Sequence, residues 1–287
     1  MKETRVFLIP NLDKAGSAGY TAQIVNKLIS LGFRCFADDY NRGKFGGGEI
    51  GFEPFDQVIG QMDMVVTIGG DGTIIRSCKR VMAHGKPMLG INCGRLGFLA
   101  DIELNQLELL DRLVSGEYSI QPRMMLRAAV RGREREQVFY ALNDFSVTKG
   151  EFAKLVDLEV YCNQKMIMDY RADGVIFSTP TGSTGYAMSA GGPIIDIGMD
   201  TIELTPICPH SLFSRTILFS PSNVLEVHSK EVNNSANVVL SVDGERVMNL
   251  TSRDIVEVTR ADKTMDFITL TRNNFCDMLN TKMLERG

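Results

Sequence analysis

The chain has 287 residues, 44% of them hydrophobic and 23% charged, with a formal net charge of -4. This length is enough for one large domain or two ordinary ones with real cores. The composition is typical of a soluble globular protein, and the negative charge argues against nucleic acid or an anionic membrane as the main partner. The six cysteines show no zinc or redox spacing, and no long apolar segment is present, so we expect a cytoplasmic protein with reduced cysteines.

The first part of the chain, to about Pro122, alternates apolar runs with segments of helical periodicity. Buried strands are predicted at Val6–Ile9, Met64–Gly69 and Met88–Asn92, and helices at Ala22–Leu31 and near 104–114. The glycine-rich polar segment 38–54 is predicted to be a mobile surface loop. Its formal G-x-G-x-x-G match (Gly46, Gly48, Gly51) lacks the strand and helix that a dinucleotide fingerprint needs. The alternation predicts a parallel sheet covered by helices.

After Arg123 the sequence changes to short β-rich runs separated by polar and glycine turns. This texture predicts an antiparallel sandwich or layered sheet. We therefore expect an α/β domain over 1–122 and a β-rich domain over 123–271. A helix over 272–287 is expected to pack back on the first domain.

The segment Gly69-Gly-Asp-Gly-Thr73 follows an apolar strand and begins a run that can be helical. The glycines Gly69, Gly70 and Gly72 let the backbone turn sharply and let a bulky anion approach main-chain N–H groups. Arg76, one turn into the helix that Thr73 begins, can add a positive charge for a diphosphate. The chain contains no P-loop motif, so this would be a different phosphate site.

Asp71 is the unusual residue of this segment. A carboxylate beside phosphates is costly unless it accepts a proton from an attacking hydroxyl or organises Mg²⁺. An aspartate that only forms a turn is the alternative, and it accounts poorly for an acid among glycines at the end of a buried strand. The segment therefore favours phosphoryl transfer, with Asp71 as the catalytic candidate.

Two further segments have the composition of a nucleotide site. Asn143 and Asp144 together offer donors and acceptors suited to the vicinal hydroxyls of a ribose, or else they cap a turn. In the segment 178–186, Thr181, Ser183 and Thr184 place hydroxyls among glycines such as Gly182, and Tyr186 can pack on an adenine. A purely structural serine- and threonine-rich loop is the alternative for this second segment.

These motifs resemble those of one enzyme family. Gly69–Thr73 is similar to the motif of the NAD kinases and, more distantly, of diacylglycerol and sphingosine kinases and phosphofructokinases. Ala141–Phe145 and Asp173–Pro193 are similar to two further NAD kinase motifs, and Gly94–Leu99 and Thr205–His210 extend the likeness. By this resemblance the chain is identified as a member of the NAD kinase family.

The resemblance implies phosphoryl transfer, with Mg²⁺, from ATP or another triphosphate or polyphosphate to the 2′-hydroxyl of the adenosine ribose of NAD. It places Asp71 at that ribose and implies a homodimer or homotetramer, without indicating the metal ligands. The other implied contacts are Phe98, Thr184, Tyr186 and Ser189 on the adenine side, Asn143, Asp144 and Asp173 at ribose or nicotinamide, and Asp243 near the phosphates.

Two positions depart from the family pattern: Gly185 stands where alanine is common, and Glu245 where glutamine is frequent. Two other interpretations of the function stay open. One is a related lipid or sugar kinase, although no membrane-seeking surface is evident in the composition. The other is a non-catalytic NAD(P)-binding regulator. The sequence indicates neither the donor nor a preference between NAD and NADH.

Overall fold

The chain forms two compact units. Unit 1 comprises Met1–Pro122 and Met265–Gly287, and unit 2 comprises Arg123–Thr264. The computed structural model describes residues 3–14, 16–94, 97–150, 155–211, 213–230, 238–271 and 275–286, with side chains described as far as residue 281.

The described residues form twenty strands and six α-helices, together with four short 3-10 helices. The strands are β1 Arg5–Pro10, β2 Arg34–Ala37, β3 Ile50–Phe52, β4 Met64–Gly69, β5 Met88–Asn92, β6 Ile102–Glu103, β7 Ser119–Arg123, β8 Leu126–Arg131, β9 Gln137–Ala141, β10 Asp144–Thr148, β11 Val156–Cys162, β12 Lys165–Ala172, β13 Gly174–Ser178, β14 Ile202–Ile207, β15 Ile217–Phe219, β16 Leu225–Ser229, β17 Val238–Val242, β18 Glu245–Leu250, β19 Ile255–Arg260 and β20 Met265–Thr269. The helices are α1 Ser17–Ser30, α2 Phe55–Val58, α3 Asp71–Met82, α4 Asp111–Ser115, α5 Tyr186–Ser189 and α6 Phe275–Arg286. The 3-10 helices span Asp39–Asn41, Ile59–Gln61, Leu104–Leu110 and Gly182–Thr184.

Unit 1 is built on a sheet with the strand order β3-β2-β1-β4-β5-β20-β7, and β6 lies beside β5. The pairs β1–β2, β1–β4 and β4–β5 are parallel. All residues of β4 and β5 are buried, as expected for parallel strands that are covered on both faces. The predicted parallel α/β domain is confirmed.

Three details of unit 1 differ from the predictions. Helix α1 begins at Ser17, before the predicted start, because its first turns bury the polar residues Ser17 and Thr21, which an apolar periodicity does not reveal. The helix predicted near 104–114 is a 3-10 helix followed by α4, since Gln106 departs from helical backbone angles. The predicted loop 38–54 buries Phe45 and adds β3 to the sheet edge.

The end of the chain returns to the first sheet. The sequence pattern places residues 265–271 in the β-rich domain, but β20 pairs with β5 inside the parallel sheet of unit 1. The carboxylate of Asp101 accepts hydrogen bonds from Leu270 N at 2.6 Å and from Thr271 N at 3.2 Å, so it ties this returning segment in place. A pairing between strands so distant in sequence is invisible to local periodicity.

Unit 2 is a sandwich of two antiparallel sheets. Their strand orders are β15-β14-β13-β10-β17-β18 and β12-β11-β16-β19-β8-β9. Alternate apolar residues of both sheets form one core between them, as in β11, where Val156, Leu158 and Val160 are buried. The predicted β-rich, sandwich-like domain is confirmed. Of the helices in the described ranges, none is long and apolar enough to cross a membrane.

Candidate functional site

The Gly-Gly-Asp-Gly segment joins β4 to α3 in unit 1. Gly69 ends the strand, Gly70 is extended with φ -100° and ψ -176°, and Asp71 is the first residue of the helix. A Cβ built on Gly70 or on Gly72 would meet no atom of the described chain within 4 Å. Both glycines therefore leave free space beside the amino end of a 12-residue helix, where N–H groups favour an anion.

The Asp71 carboxylate is held by a second segment of the chain. Its Oδ2 accepts a hydrogen bond from Phe98 N at 2.6 Å, and its Oδ1 accepts one from Leu99 N at 3.1 Å. Each oxygen keeps a further lone pair for another donor. The arrangement presents an oriented carboxylate that can accept a proton or a hydrogen bond from a hydroxyl.

A cavity of about 360 Å³ opens beside α3 in unit 1. Arg76 and Arg80 of α3 line it together with Lys44, against the single acid Asp13, so its wall is cationic on balance. Arg80 is held in place by Asp38 Oδ2 at 3.1 Å, with its guanidinium 4.3 Å from the centre of the Phe55 ring. Asn41, also in the lining, is 2% exposed, and its Nδ2 donor finds no acceptor among the described residues. These features suit a polyanionic ligand.

In unit 2, one carboxylate shapes the Asn143–Asp144 segment. Asp243 Oδ1 accepts hydrogen bonds from Asn143 N at 2.8 Å and Asp144 N at 3.2 Å, and Asp243 Oδ2 accepts one from Leu142 N at 3.3 Å. Asp243 itself stands at φ 50° in the turn between β17 and β18. Its carboxylate is thus engaged with this backbone, which fixes the direction of the Asn143 and Asp144 side chains.

The loop that follows β13 is bonded to the same segment. Thr179 N donates to Asn143 O at 2.8 Å, and Thr179 Oγ1 donates to Leu142 O at 2.6 Å. A Cβ on Gly182 would overlap the Asn143 carbonyl, so only glycine permits this approach. Asn143 Oδ1 is buried and finds no donor in the described part of the chain. It is therefore an acceptor available to a ligand.

Acidic groups concentrate around Asp144, which is 4% exposed. Burial, together with the nearby Asp243 and Glu203 carboxylates, raises the pKa of Asp144 to about 7. Burial also raises the pKa of the Tyr186 hydroxyl. The nearby Asp144, Asp173 and Cys208 raise it further through electrostatic repulsion. Asp173 itself forms an ion pair with Lys149 at 2.7 Å.

The predicted site residues thus form two groups, one in each unit. Unit 1 brings together Gly69, Gly70, Asp71, Gly72, Thr73, Arg76 and Phe98, and unit 2 contains Asn143, Asp144, Asp173, Thr181, Gly182, Thr184, Tyr186, Ser189 and Asp243. In unit 2, Tyr186 and Ser189 are exposed, whereas Thr181 is buried. Their ligand contacts stay predictions.

One interpretation from the sequence needs correction. The Ser183 hydroxyl, counted among those facing a nucleotide, is fully buried; it donates to Pro180 O at 2.7 Å and accepts from Ile195 N at 3.0 Å. It serves the loop and not a ligand.

Several residues that lie beside these two groups were not predicted from the sequence. Asn11 donates from Nδ2 to Thr73 Oγ1 at 3.0 Å, and Asn41 and Lys44 line the cavity. Glu203 is fully buried on β14, which pairs with β13 in the same sheet as the strand of Asp144. A lone acid inside the apolar run of β14 was the available signal for Glu203, whereas nothing local distinguishes Asn11 or Asn41.

In the residues whose placement is described, no group of three or more His, Cys, Asp or Glu could hold a metal ion. A magnesium ion does not need such a cage, because it is usually bound by one or two carboxylates together with substrate phosphates.

Comparisons with known proteins assign both units to the same family. Residues 53–118 match the family model for the ATP-NAD kinase N-terminal domain, and residues 142–270 match that for the ATP-NAD kinase C-terminal domain. An NAD kinase of Thermoanaerobacter sp. (strain X514) is 35% identical over 284 residues, covering 98% of this chain and 99% of that protein. One of Moorella thermoacetica is 38% identical over 286 residues, covering 99% and 90%.

Solved structures share the fold. A yeast NADH kinase complexed with NADH superposes with a TM-score of 0.88 at 24% identity, covering 98% of this chain and 87% of that one. An NAD kinase from Archaeoglobus fulgidus in complex with ATP superposes with a TM-score of 0.73 at 22% identity, covering 99% of each chain.

Proposed function

The chain belongs to the NAD kinase family, and we propose that it transfers the terminal phosphoryl group of a nucleoside triphosphate to the 2′-hydroxyl of the adenosine ribose of NAD, giving NADP. The observation that carries the mechanism is the Asp71 carboxylate, held at a helix amino end by Phe98 N and Leu99 N. That carboxylate orients the hydroxyl and accepts its proton as the oxygen attacks phosphorus.

The acceptor dinucleotide is assigned to the residues of unit 2. The unpartnered Asn143 Oδ1 accepts from a ribose hydroxyl, and Asp144, when ionised, accepts from its neighbour. The exposed Tyr186 ring offers a surface for an adenine or nicotinamide ring. In this proposal Asp243 acts by holding the Asn143–Asp144 backbone.

The donor is assigned to the cationic cavity of unit 1. Arg76 and Lys44 supply charge for the phosphates, and the buried Asn41 Nδ2 supplies a donor that is otherwise unused within the described residues. Magnesium enters as part of this substrate, bound to its phosphates. Apart from the proton transfer to Asp71, the protein contributes to the rate by positioning and charge stabilisation.

The proposed activity is tested by a coupled assay with purified protein, NAD, MgATP and an NADP-specific dehydrogenase. We expect NADP formation that depends on both substrates and on magnesium. A panel of NAD and NADH against ATP, other triphosphates and polyphosphate identifies the preferred pair. If the protein binds NAD but forms no NADP with any donor, it is a regulator; if only a lipid or sugar is phosphorylated, it is a related kinase.

The donor assignment predicts a selective effect of Arg76→Ala. Removing a charge-assisted hydrogen bond to a phosphate should raise the KM for ATP by about 10-fold or more, because such bonds contribute roughly 1.5–3 kcal/mol. The KM for NAD should stay near the wild-type value. Steady-state kinetics with each substrate varied in turn measures both.

Lys79→Ala is the matched control for Arg76→Ala, since Lys79 lies on the same helix but outside the cavity lining. It should leave the KM for ATP unchanged. An Arg76→Ala enzyme whose KM for ATP equals that of the control would remove this cavity from the donor site.

A homodimer or homotetramer and a cytoplasmic location complete the proposal, and both rest on the family membership. Sedimentation equilibrium of the purified protein tests the first of these.

A further inference from the structure

Glu203 is a fully buried carboxyl with no part in the proposed contacts. It lies on β14, all of whose residues are buried, and it is 0% exposed. Its Oε1 accepts a hydrogen bond from Thr205 Oγ1 at 2.8 Å. Because the Thr205 hydroxyl has only this one proton to give, it accepts its second hydrogen bond, 3.0 Å long, from Thr216 Oγ1. Its Oε2 finds no partner among the described residues. Burying a carboxyl with an unpaired oxygen lowers the stability of the fold, so we expect Glu203 to have a function that offsets this cost.

The strand register places Glu203 on the same face as Asp144. Ser178 of β13 is paired with Asp144 of β10 on one side and with Glu203 of β14 on the other. Residues directly opposite each other in antiparallel strands point to the same face, with about 4.5–5.5 Å between neighbouring strands. The carboxyl groups of Asp144 and Glu203 thus flank Ser178 in one row, on the face opposite the sandwich core, which contains their neighbours Phe145, Phe177 and Leu204.

The backbone after α5 covers the Glu203 end of this row. A Cβ built on Gly192 would overlap Glu203 Oε1 and would lie 2.9 Å from Thr205 Oγ1, so the chain passes directly over the carboxyl. Gly192 N donates to Ala187 O at 2.9 Å and so closes the turn that ends α5. Water is thereby kept from Glu203, and an electrostatic interaction along the row is screened less than it would be at the surface.

Among the residues that the structure describes, the groups that titrate around this row are acidic. Asp144 faces it from β10, Asp243 from the turn after β17 and Tyr186 from α5, whereas β13 contributes Ser178 and β15 contributes Leu218. Burial raises the pKa of Glu203 to about 7, against a smaller lowering by the Thr205 hydrogen bond. The Glu203 carboxylate is among the causes that raise the pKa of Asp144.

We propose that Glu203 is a positioning residue of the dinucleotide site that acts through Asp144, because negative charge on Glu203 opposes negative charge on the Asp144 carboxyl across Ser178. This inference rests on the proposed function, in which the ionised Asp144 accepts a hydrogen bond from a ribose hydroxyl. Binding of the dinucleotide is then tuned to pH near neutrality by a residue that never touches it.

The test is Glu203→Gln, which keeps the shape and the acceptor for Thr205 but removes the charge. Without the repulsion Asp144 ionises at lower pH, so the acid limb of the profile of kcat/KM for NAD should move down by about half a unit to one unit. The gain over wild type should be confined to pH values around the limb, where Glu203 is ionised; well below pH 7 Glu203 is itself protonated, and the kcat/KM values of the two enzymes should converge. A merely structural role would lower activity at every pH and leave the limb in place.

The matched control is Glu257→Gln, a glutamate on β19 of the other sheet. It should leave the limb unchanged, and thermal unfolding should show both variants folded. The charge on Asp144 is also followed directly, by ¹³C NMR of its carboxyl carbon against pH, assigned through Asp144→Asn.

The outcomes separate the inference from the proposed function. If wild type forms no NADP, the proposed function fails, while a downward shift of the Asp144 titration in Glu203→Gln still supports the coupling. If wild type forms NADP but neither the limb nor the NMR titration moves in folded Glu203→Gln, the inference is wrong and the function stands. An equal shift in Glu257→Gln also overturns it.

Discussion

Asp71→Asn should lower kcat for NADP formation by about 10²–10⁴-fold, the range typical of a lost general base. The amide cannot accept a proton. Its one oxygen also cannot receive both Phe98 N, which lies 2.6 Å from Oδ2, and Leu99 N, which lies 3.1 Å from Oδ1. Binding of NAD should change little, because the acceptor residues assigned to NAD lie in unit 2. Steady-state kinetics, with NAD binding followed by calorimetry, separates the two effects.

Asp111→Asn is the control for Asp71→Asn. Asp111 is a half-exposed acid of the same unit, paired with Lys27 at 2.6 Å, so its loss should leave kcat unchanged. If folded Asp71→Asn turned over at a rate close to that of this control, Asp71 would have no place in the mechanism.

Gly97→Ala should lower kcat by about 10²-fold without unfolding the protein, since a displacement near 1 Å of a catalytic group can cost that much. A Cβ at Gly97 would overlap the Asp71 carboxylate. The backbone of Gly97 is not in the left-handed region, so alanine adds no strain of its own. The carboxylate is the far end of a side chain and can move aside, but it then leaves the Phe98 and Leu99 amides.

The comparison for Gly97→Ala is Gly60→Ala. A Cβ on Gly60 meets no described atom within 4 Å, and its backbone also lies outside the left-handed region. Both variants should unfold near the wild-type temperature, and only Gly97→Ala should lose turnover. Equal kcat values in the two variants would show that Asp71 tolerates displacement, which is incompatible with a precise role in orienting the hydroxyl.

Local patterns were sufficient for much of the architecture. The fully apolar runs of β4 and β5 require burial on both faces, which only a covered parallel sheet provides. The alternation in β11 likewise requires one buried face. The Gly-Gly-Asp-Gly-Thr motif is itself contiguous, so the candidate acid and the neighbouring helix start were visible without the fold. The family and its chemistry followed from such contiguous motifs.

Other predictions failed where a distant segment decides the outcome. Strand β20 fits the β-rich texture that precedes it, yet it pairs with β5 because the parallel sheet has an open position beside that strand. The 38–54 segment looks polar, yet the core of unit 1 accommodates Phe45 and the sheet edge accommodates β3. Composition reports the average of a segment, whereas burial depends on what the rest of the chain places against it.

The sequence by itself determined which residues are the candidates for chemistry: an acid among glycines, an Asn-Asp pair and a hydroxyl-rich glycine loop. Only the tertiary structure decided how they are held. Asp71 is oriented by amides 27 and 28 residues away, Asn143 by a carboxylate 100 residues away, and Asp144 faces a buried Glu203 across a strand. The physical reason is that hydrogen bonds and buried charges act over a few ångströms in space, and closeness in space between such residues exists only once the sheets have formed.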